Sequence, residues 1–285
     1  MRLANLAGRA SIVVESGHAG SGAVDVHRAS DAAFGPTMRA IYDDWAAFRE
    51  WVSGTDLAGL DSTPFDDADL AAPVPEPRQV FGVGLNYLEH AAESGMGLPD
   101  FPLTFTKFPS CIVGPDARVS LPSGSVDWEA ELVVVIGSRA HRAEAADAWA
   151  HVAGLMVGQD LSERVVQKRP PSAQFSLGKS FPGFGPTGPW LTTPDEVDDP
   201  GDLAIGCTLN GETMQASRTG DLIFPVPQLI ESLSSIVPLG PGDLIFTGTP
   251  SGVGMAREPQ HFLSPGDVVV TTIEGLGSIT TTMTD

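Results

Sequence analysis

Apolar positions over residues 1 to about 70 follow two different periods. Arg2 to Leu6, Ala10 to Glu15 and Val24 to Val26 read as short strands. Thr37 to Val52 reads as one helix, because Ile41, Trp45, Phe48 and Trp51 recur at three- and four-residue steps and make one apolar face. The stretch Thr63 to Pro77 is acidic and ends in PVPEP, which can neither continue a helix nor pair inside a sheet. It predicts a boundary between a small N-terminal domain, residues 1–72, and a larger one, residues 73–285. From Val80 onward short β-rich runs are cut by Gly and Pro: QVFGVGLN, LTFTKFPS, ELVVVIG, GLMVGQDL, AIGCTLNG, GDLIFTGTP and DVVVTTIEGLGSITTTM. Helical candidates there are few: Tyr87 to Ser94, Ala143 to Val152, and Val226 to Ser234 with Ser235. Nothing repeats at a period of 20 to 50 residues, which argues against a solenoid or propeller. The expected fold class is strand-rich α+β, with the chemistry at strand ends.

At 285 residues with 42% apolar and 18% charged side chains, the chain supports a sizeable core and contains no membrane-spanning run. Its 36 acidic residues face 16 basic ones, a formal net charge of -20, and a phosphate backbone or anionic membrane would be repelled by that field. Cys111 and Cys207 lack any CxxC spacing and read as reduced core residues. The start MRLANLAGRASIVV has no long apolar segment after its arginines, so no secretory signal is expected and the cytoplasm is the expected compartment.

Several familiar chemistries lack their motifs. Gly82 and Gly84 give GxG after a strand, but the third glycine of a dinucleotide fingerprint would fall at Tyr87. There is no GxxxxGK[ST], no GxSxG elbow, no HExxH and no Cys/His cluster for zinc.

What remains is a set of acids, a histidine and a lysine. In a strand running through DWEAELVVVIG, Glu129 and Glu131 project from the same face. Two adjacent carboxylates need a cation between them or water around them, and a solvated outer face explains them as well. Asp160 ends GLMVGQD, another apolar strand, where its carboxylate could meet the first two. Three hard oxygen ligands suit Mg²⁺, Mn²⁺ or Ca²⁺ rather than zinc. In LNYLEHAAESG, Asn86 can cap a helix with Glu89 returning the bond, and His90 and Glu93 stand at i and i+3. A carboxylate there can orient the imidazole for proton transfer, although a solvated surface pair has the same spacing. Lys179 is one of three lysines, with Lys107 and Lys168, and lies in FSLGKSFPGFGPTGPW, which reads as an irregular loop. An ammonium kept there suits an anion or a developing enolate, the alternative being a solvated charge. FTGTPSGVG follows a strand, and its threonines and N–H groups suit a carboxylate, though turn formation alone also explains the glycines.

Taken together, VGLNYLEHAAE, FTKFPSCIVGP, VDWEAELVVVIG, VGQDLSERVVQ, LGKSFPGFGPTGPW, LNGETMQ, FPVPQLIESLS, LGPGDLIFTGTPSGVG and GDVVVTTIEGLG resemble the fumarylacetoacetate hydrolase family, in family order from about Val80 to the C-terminus. The resemblance implies a mixed β-roll or β-sandwich catalytic domain behind a small N-terminal α+β domain, usually as a homodimer. The apolar FPVPQL and PGFGPTGPW loops, partly exposed on a monomer, are expected to favour the dimer. It further implies a divalent metal, typically Mg²⁺ or Ca²⁺, on Glu129, Glu131 and Asp160, with His90 and Glu93 as a water-activating dyad on a segment that often forms a lid. Lys179 becomes the cation beside the reacting carbonyl, Arg164 and Gln167 lie near the substrate, Thr249 contacts its carboxylate, and Lys107 faces the site. Two departures stand out: Pro182 replaces the Asp that often follows GKSF, and GVGLNY has no acid ahead of the histidine, as in the bacterial branch with three protein ligands.

The expected activity is metal-dependent hydrolysis of a C–C bond in a small anionic β-dicarbonyl or 2-oxo acid. Decarboxylation or isomerisation of a 2-oxo dicarboxylic acid is the alternative, because fold and site are shared while chemistry differs. A silent metal-binding homologue is the third possibility, disfavoured by the joint presence of His90, Glu93 and Lys179.

Overall fold

The structure is a computed structural model, and it describes residues 1–16, 20–93, 95 and 97–285. Among them a twelve-stranded mixed sheet runs through the whole protein. Its middle is Gly185–Thr192, Val152–Gln159, Ala130–Ile136, Leu244–Phe246 and Val80–Gly84, in that spatial order. Strand Arg2–Leu6 continues it by pairing with Gly185–Thr192, Leu3 opposite Leu191, so the segment before the PVPEP stretch shares a sheet with the segment after it. Parts of the acidic stretch also pair: Thr63–Pro64 lies beside Gly20–Asp25 and Leu70–Ala71 beside Arg2–Leu6. Pro64 is tolerated because its strand is the outermost of the sheet, where a missing N–H costs little.

Past Glu131, strand Ala130–Ile136 is apolar from Leu132 to Ile136 because both of its faces are buried. Leu132, Val134 and Ile136 pack into a core shared with a second, five-stranded sheet that contributes Ile205, Cys207, Val269 and Ile279. Val133 and Val135 face the opposite way, onto Ile41, Trp45 and Phe48 of the N-terminal helices. This double burial explains why the strand reads as an uninterrupted β-branched run.

Several local expectations are corrected. The helix expected over Thr37 to Val52 is two, Met38–Asp43 and Trp45–Ser53, broken at Asp44 with φ -133° and ψ 45°. Aspartate competes with helical hydrogen bonding, and the break still leaves Ile41, Trp45 and Phe48 on the sheet. Ala143 to Val152 holds a 3₁₀ segment, Ala145–His151, and Val152 already opens the next strand opposite Ile136. Helix Leu88–Glu93 falls within the expected Tyr87 to Ser94, whose last residue lies outside the described residues. Asn86 does not cap it, because its side chain ties neighbouring loops, donating to the carbonyls of Phe224 and Thr247 and accepting from the Phe224 N–H. The FSLGKSFPGFGPTGPW segment is not all loop. Phe175–Gly178 is a helical turn and Gly185–Thr192 a buried strand, with Pro189 accommodated where the register with Val152–Gln159 shifts. PGFGPTGPW is therefore mostly covered within one chain, and the exposed apolar side chains include Leu103, Phe108 and Leu177 instead. Among the described residues no helix is long and apolar enough to cross a membrane.

Candidate active site

Antiparallel pairing of Ala130–Ile136 with Val152–Gln159 sets Glu131 opposite Gly158 and brings Asp160, just past the second strand, beside the start of the first. The Asp160 N–H donates to the Glu129 carbonyl at 2.9 Å, which fixes that junction. One carboxylate oxygen each from Glu129, Glu131 and Asp160 lies within 4.8 Å of the others, and all three residues are buried. A donor set of three buried carboxylates without imidazole or thiolate fits a hard divalent cation. Gly248 supplies an N–H to Glu131 Oε2 at 2.8 Å. It does so at φ +103°, with the place of a Cβ 2.7 Å from Asn86 Cβ, so glycine is required there.

Three cations hold the carboxylates. Lys179 Nζ lies 2.6 Å from both Glu129 Oε2 and Asp160 Oδ2. Lys107 Nζ lies 2.6 Å from Asp160 Oδ1 and donates also to the carbonyls of Lys179 and Phe184. Arg164 Nη1 lies 2.7 Å from Glu129 Oε1. The charge is unevenly compensated. Burial pushes the Glu129 carboxyl up, but Lys179 and Arg164 outweigh it and bring the group down to about 2. Glu131 is driven well above the usual carboxylate range by burial and then by Asp160 and Glu129. Burial works against the Lys179 ammonium, yet Asp160 and Glu129 keep its pKa above the ordinary lysine value.

Of these groups Glu129, Lys179 and Arg164 open onto a cavity of about 320 Å³, whose wall also includes Gln167, Thr249, His90 and Glu93. His90 Nδ1 is 3.3 Å from Glu93 Oε2, on helix Leu88–Glu93. Glu93 is held in turn by the Gly252 N–H at 3.2 Å. An acceptor at Nδ1 favours the tautomer that leaves Nε2 as the basic nitrogen. Thr249 Oγ1 accepts from Gln215 Nε2 at 2.8 Å, leaving its own proton free to donate. Gln167 accepts from Arg164 at 3.0 Å.

Glu131, Asp160 and Lys107 lie behind this wall. For Lys107, 1% exposed and bonded to three acceptors, the structure gives a place beneath the carboxylates rather than facing the cavity. Phe105, Phe175 and Lys168 also line the cavity, and no motif in the sequence marks them for it. Asp127, fully buried and bonded to Arg164, also lies outside the expected site residues, although acids at two-residue steps in DWEAE are a visible signal.

Residues 79–284 match the family profile described as fumarylacetoacetate (FAA) hydrolase C-terminal. The chain belongs to the fumarylacetoacetate hydrolase family. Within it, the chain is 43% identical over 268 residues to the mitochondrial oxaloacetate tautomerase FAHD2A of Bos taurus, covering 93% of this chain and 85% of that one. The crystal structure of an HpcE-type protein of Mycobacterium smegmatis superimposes with a TM-score of 0.90 at 51% identity, over 100% of this chain and 99% of the other. Maleylpyruvate hydrolase from Sphingobium sp. SYK-6, solved with manganese(II) and pyruvate, gives a TM-score of 0.79 at 28% identity, over 100% of both chains. The strand-rich α+β architecture is that of the fumarylacetoacetate hydrolase family.

Proposed function

We propose that the protein interconverts the enol and keto forms of a small 2-oxo dicarboxylic acid of the oxaloacetate class. The observation that carries the proposal is the single cavity onto which the His90–Glu93 dyad, the Lys179 ammonium and the Arg164 guanidinium all open beside the buried carboxylates. Likeness over 93% of the chain to an oxaloacetate tautomerase supports this choice of reaction. A divalent cation, Mg²⁺ or Mn²⁺, on Glu129, Glu131 and Asp160 would supply a chelation point for the 2-oxo carboxylate and Lewis-acid polarisation of the carbonyl. His90 Nε2, oriented through Nδ1 by Glu93, takes the proton from the enol hydroxyl or from C3 and returns it at the other position. Lys179, kept charged by Glu129 and Asp160, stabilises the enolate between those steps. The Thr249 hydroxyl and the Arg164–Gln167 pair orient the carboxylates, which holds the C3 proton within reach of the imidazole.

A second reading is hydrolysis of a C–C bond in an acylpyruvate, with His90 deprotonating water; the likeness to maleylpyruvate hydrolase favours it. The wider proposal is a cytoplasmic homodimer with its catalytic unit at residues 73–285, associating through the exposed Leu103, Phe108 and Leu177. The deciding measurement follows enol oxaloacetate by ultraviolet absorbance with and without Mg²⁺, with carbon dioxide release and acylpyruvate cleavage assayed in parallel. Metal-dependent loss of enol without carbon dioxide is expected. Acylpyruvate cleavage with no acceleration of ketonisation would transfer the assignment to the hydrolase.

A further inference from the structure

Asp127 sits at the end of the two-residue strand Val126–Asp127, which pairs with Ser162–Glu163. It is wholly buried, and its carboxylate is saturated with donors. Oδ2 accepts from Arg164 Nε at 2.9 Å, Arg164 Nη2 at 2.6 Å and the Met255 N–H at 3.0 Å. Oδ1 accepts from the Gly254 N–H at 2.7 Å and the Trp128 N–H at 2.9 Å. The approach to Gly254 is so close that a Cβ there would stand 2.9 Å from Asp127 Oδ1. One carboxylate thus fixes both the guanidinium beside Glu129 and the loop that carries Thr249 and Gly252.

We propose that Asp127 is a positioning residue that takes up the charge of Arg164 so that Glu129 stays available to a divalent cation. The charges of the buried centre carry the argument. Glu129, Glu131, Asp160 and Asp127 are four carboxylates against the three cations Lys107, Lys179 and Arg164. With Asp127 in place and Glu131 ionised, as a bound dication would make it, the formal balance is negative and favours the dication. Without it the centre is formally neutral, and Arg164, already 2.7 Å from Glu129, has no other anion to satisfy it. Asparagine cannot replace the carboxylate, since its amide turns a donor toward the donors of either Arg164 or Gly254.

This inference rests on the metal reading of Glu129, Glu131 and Asp160, and the test separates the two. Titration calorimetry with Mn²⁺ and Mg²⁺ on the intact chain needs no turnover. Asp127→Asn is expected to weaken binding about 10–100-fold, the usual effect of losing a partner just outside the ligands. Arg164→Gln is expected to tighten binding, because Glu129 loses a competing cation. The double variant is expected to return toward wild-type affinity, because removing one carboxylate together with one cation restores the formal balance of the centre. A residue of purely structural importance would lower thermal stability without this alternation of sign. Wild-type affinity in Asp127→Asn, or binding in Arg164→Gln no tighter than wild type, overturns the proposal. The Arg164→Gln arm decides it even where Asp127→Asn does not fold. A wild-type protein that binds neither ion rejects the metal reading and this inference with it.

Discussion

Replacing Lys107 by methionine separates a buried counter-ion from a substrate contact. The substitution keeps an unbranched apolar stem of similar reach and removes the ammonium, which lies 2.6 Å from Asp160 Oδ1, donates to the Lys179 and Phe184 carbonyls, and stands 5.6 Å from the centroid of the Phe246 ring. Breaking one side of a buried ion pair costs about 3–5 kcal/mol, because the remaining charge stays out of water without its partner. Asp160 keeps Lys179 at 2.6 Å on its other oxygen, which argues for the lower end of that range. At about 2–4 °C per kcal/mol for a chain of this size, the Tm should fall on the order of 10 °C in metal-free protein. A saturating divalent ion should recover part of the loss, about 2.7 kcal/mol at a hundred times its Kd. Thermal unfolding with and without Mn²⁺, alongside KM for oxaloacetate, measures both effects. The reasoning fails if the Tm stays within a few degrees of wild type while KM rises tenfold, because that result would put Lys107 on the substrate.

Other consequences can be checked independently. His90→Gln should lose about 10²–10⁴-fold in kcat with Mn²⁺ affinity unchanged in calorimetry, and unimpaired turnover would remove the imidazole from the mechanism. Gly248→Ala places a side chain at φ +103° and 2.7 Å from Asn86 Cβ, so urea unfolding should show a loss of about 1–3 kcal/mol, and an unchanged midpoint would contradict the geometry. Burial pushes the Cys207 thiol up to about 12 and raises that of Cys111, so at pH 8 both stay protonated. A chromogenic disulfide reagent should then titrate neither until denaturant is added, and rapid reaction of the folded protein would refute their burial.

Local chemistry made part of the fold legible. Arg2–Leu6 and Val226–Ser234 begin and end where their apolar periods do, because both are set by short-range alternation and by the turn residues beside them. The break at Asp44 and the strand at Gly185–Thr192 were hidden for the converse reason. At Asp44 the helical period continues across the break, so pattern alone cannot show it. At Gly185–Thr192, Gly and Pro signal a loop, and long-range pairing with Arg2 and Leu3, with Ile112 and Val113, and with Val152–Gln159 makes a strand of it.

The site divides along the same line. Glu129 and Glu131 are two apart at the start of a strand and Asp160 sits just past its partner strand, so their convergence follows from period and strand end, both readable in one dimension. The groups that compensate their charge come from elsewhere in the chain: Lys107 meets Asp160 across 53 residues and Lys179 meets Glu129 across 50. No spacing rule reports such a pair, but its necessity does follow from electrostatics. Three carboxylates cannot be buried together without cations, so any buried basic side chain in a chain this poor in lysine must be sought beside them. The same argument accounts for both buried ammonium groups reaching Asp160, Lys107 on Oδ1 and Lys179 on Oδ2. Lys179 also lines the cavity, whereas Lys107 spends its three donors on Asp160 and the carbonyls of Lys179 and Phe184, which commits it to the fold.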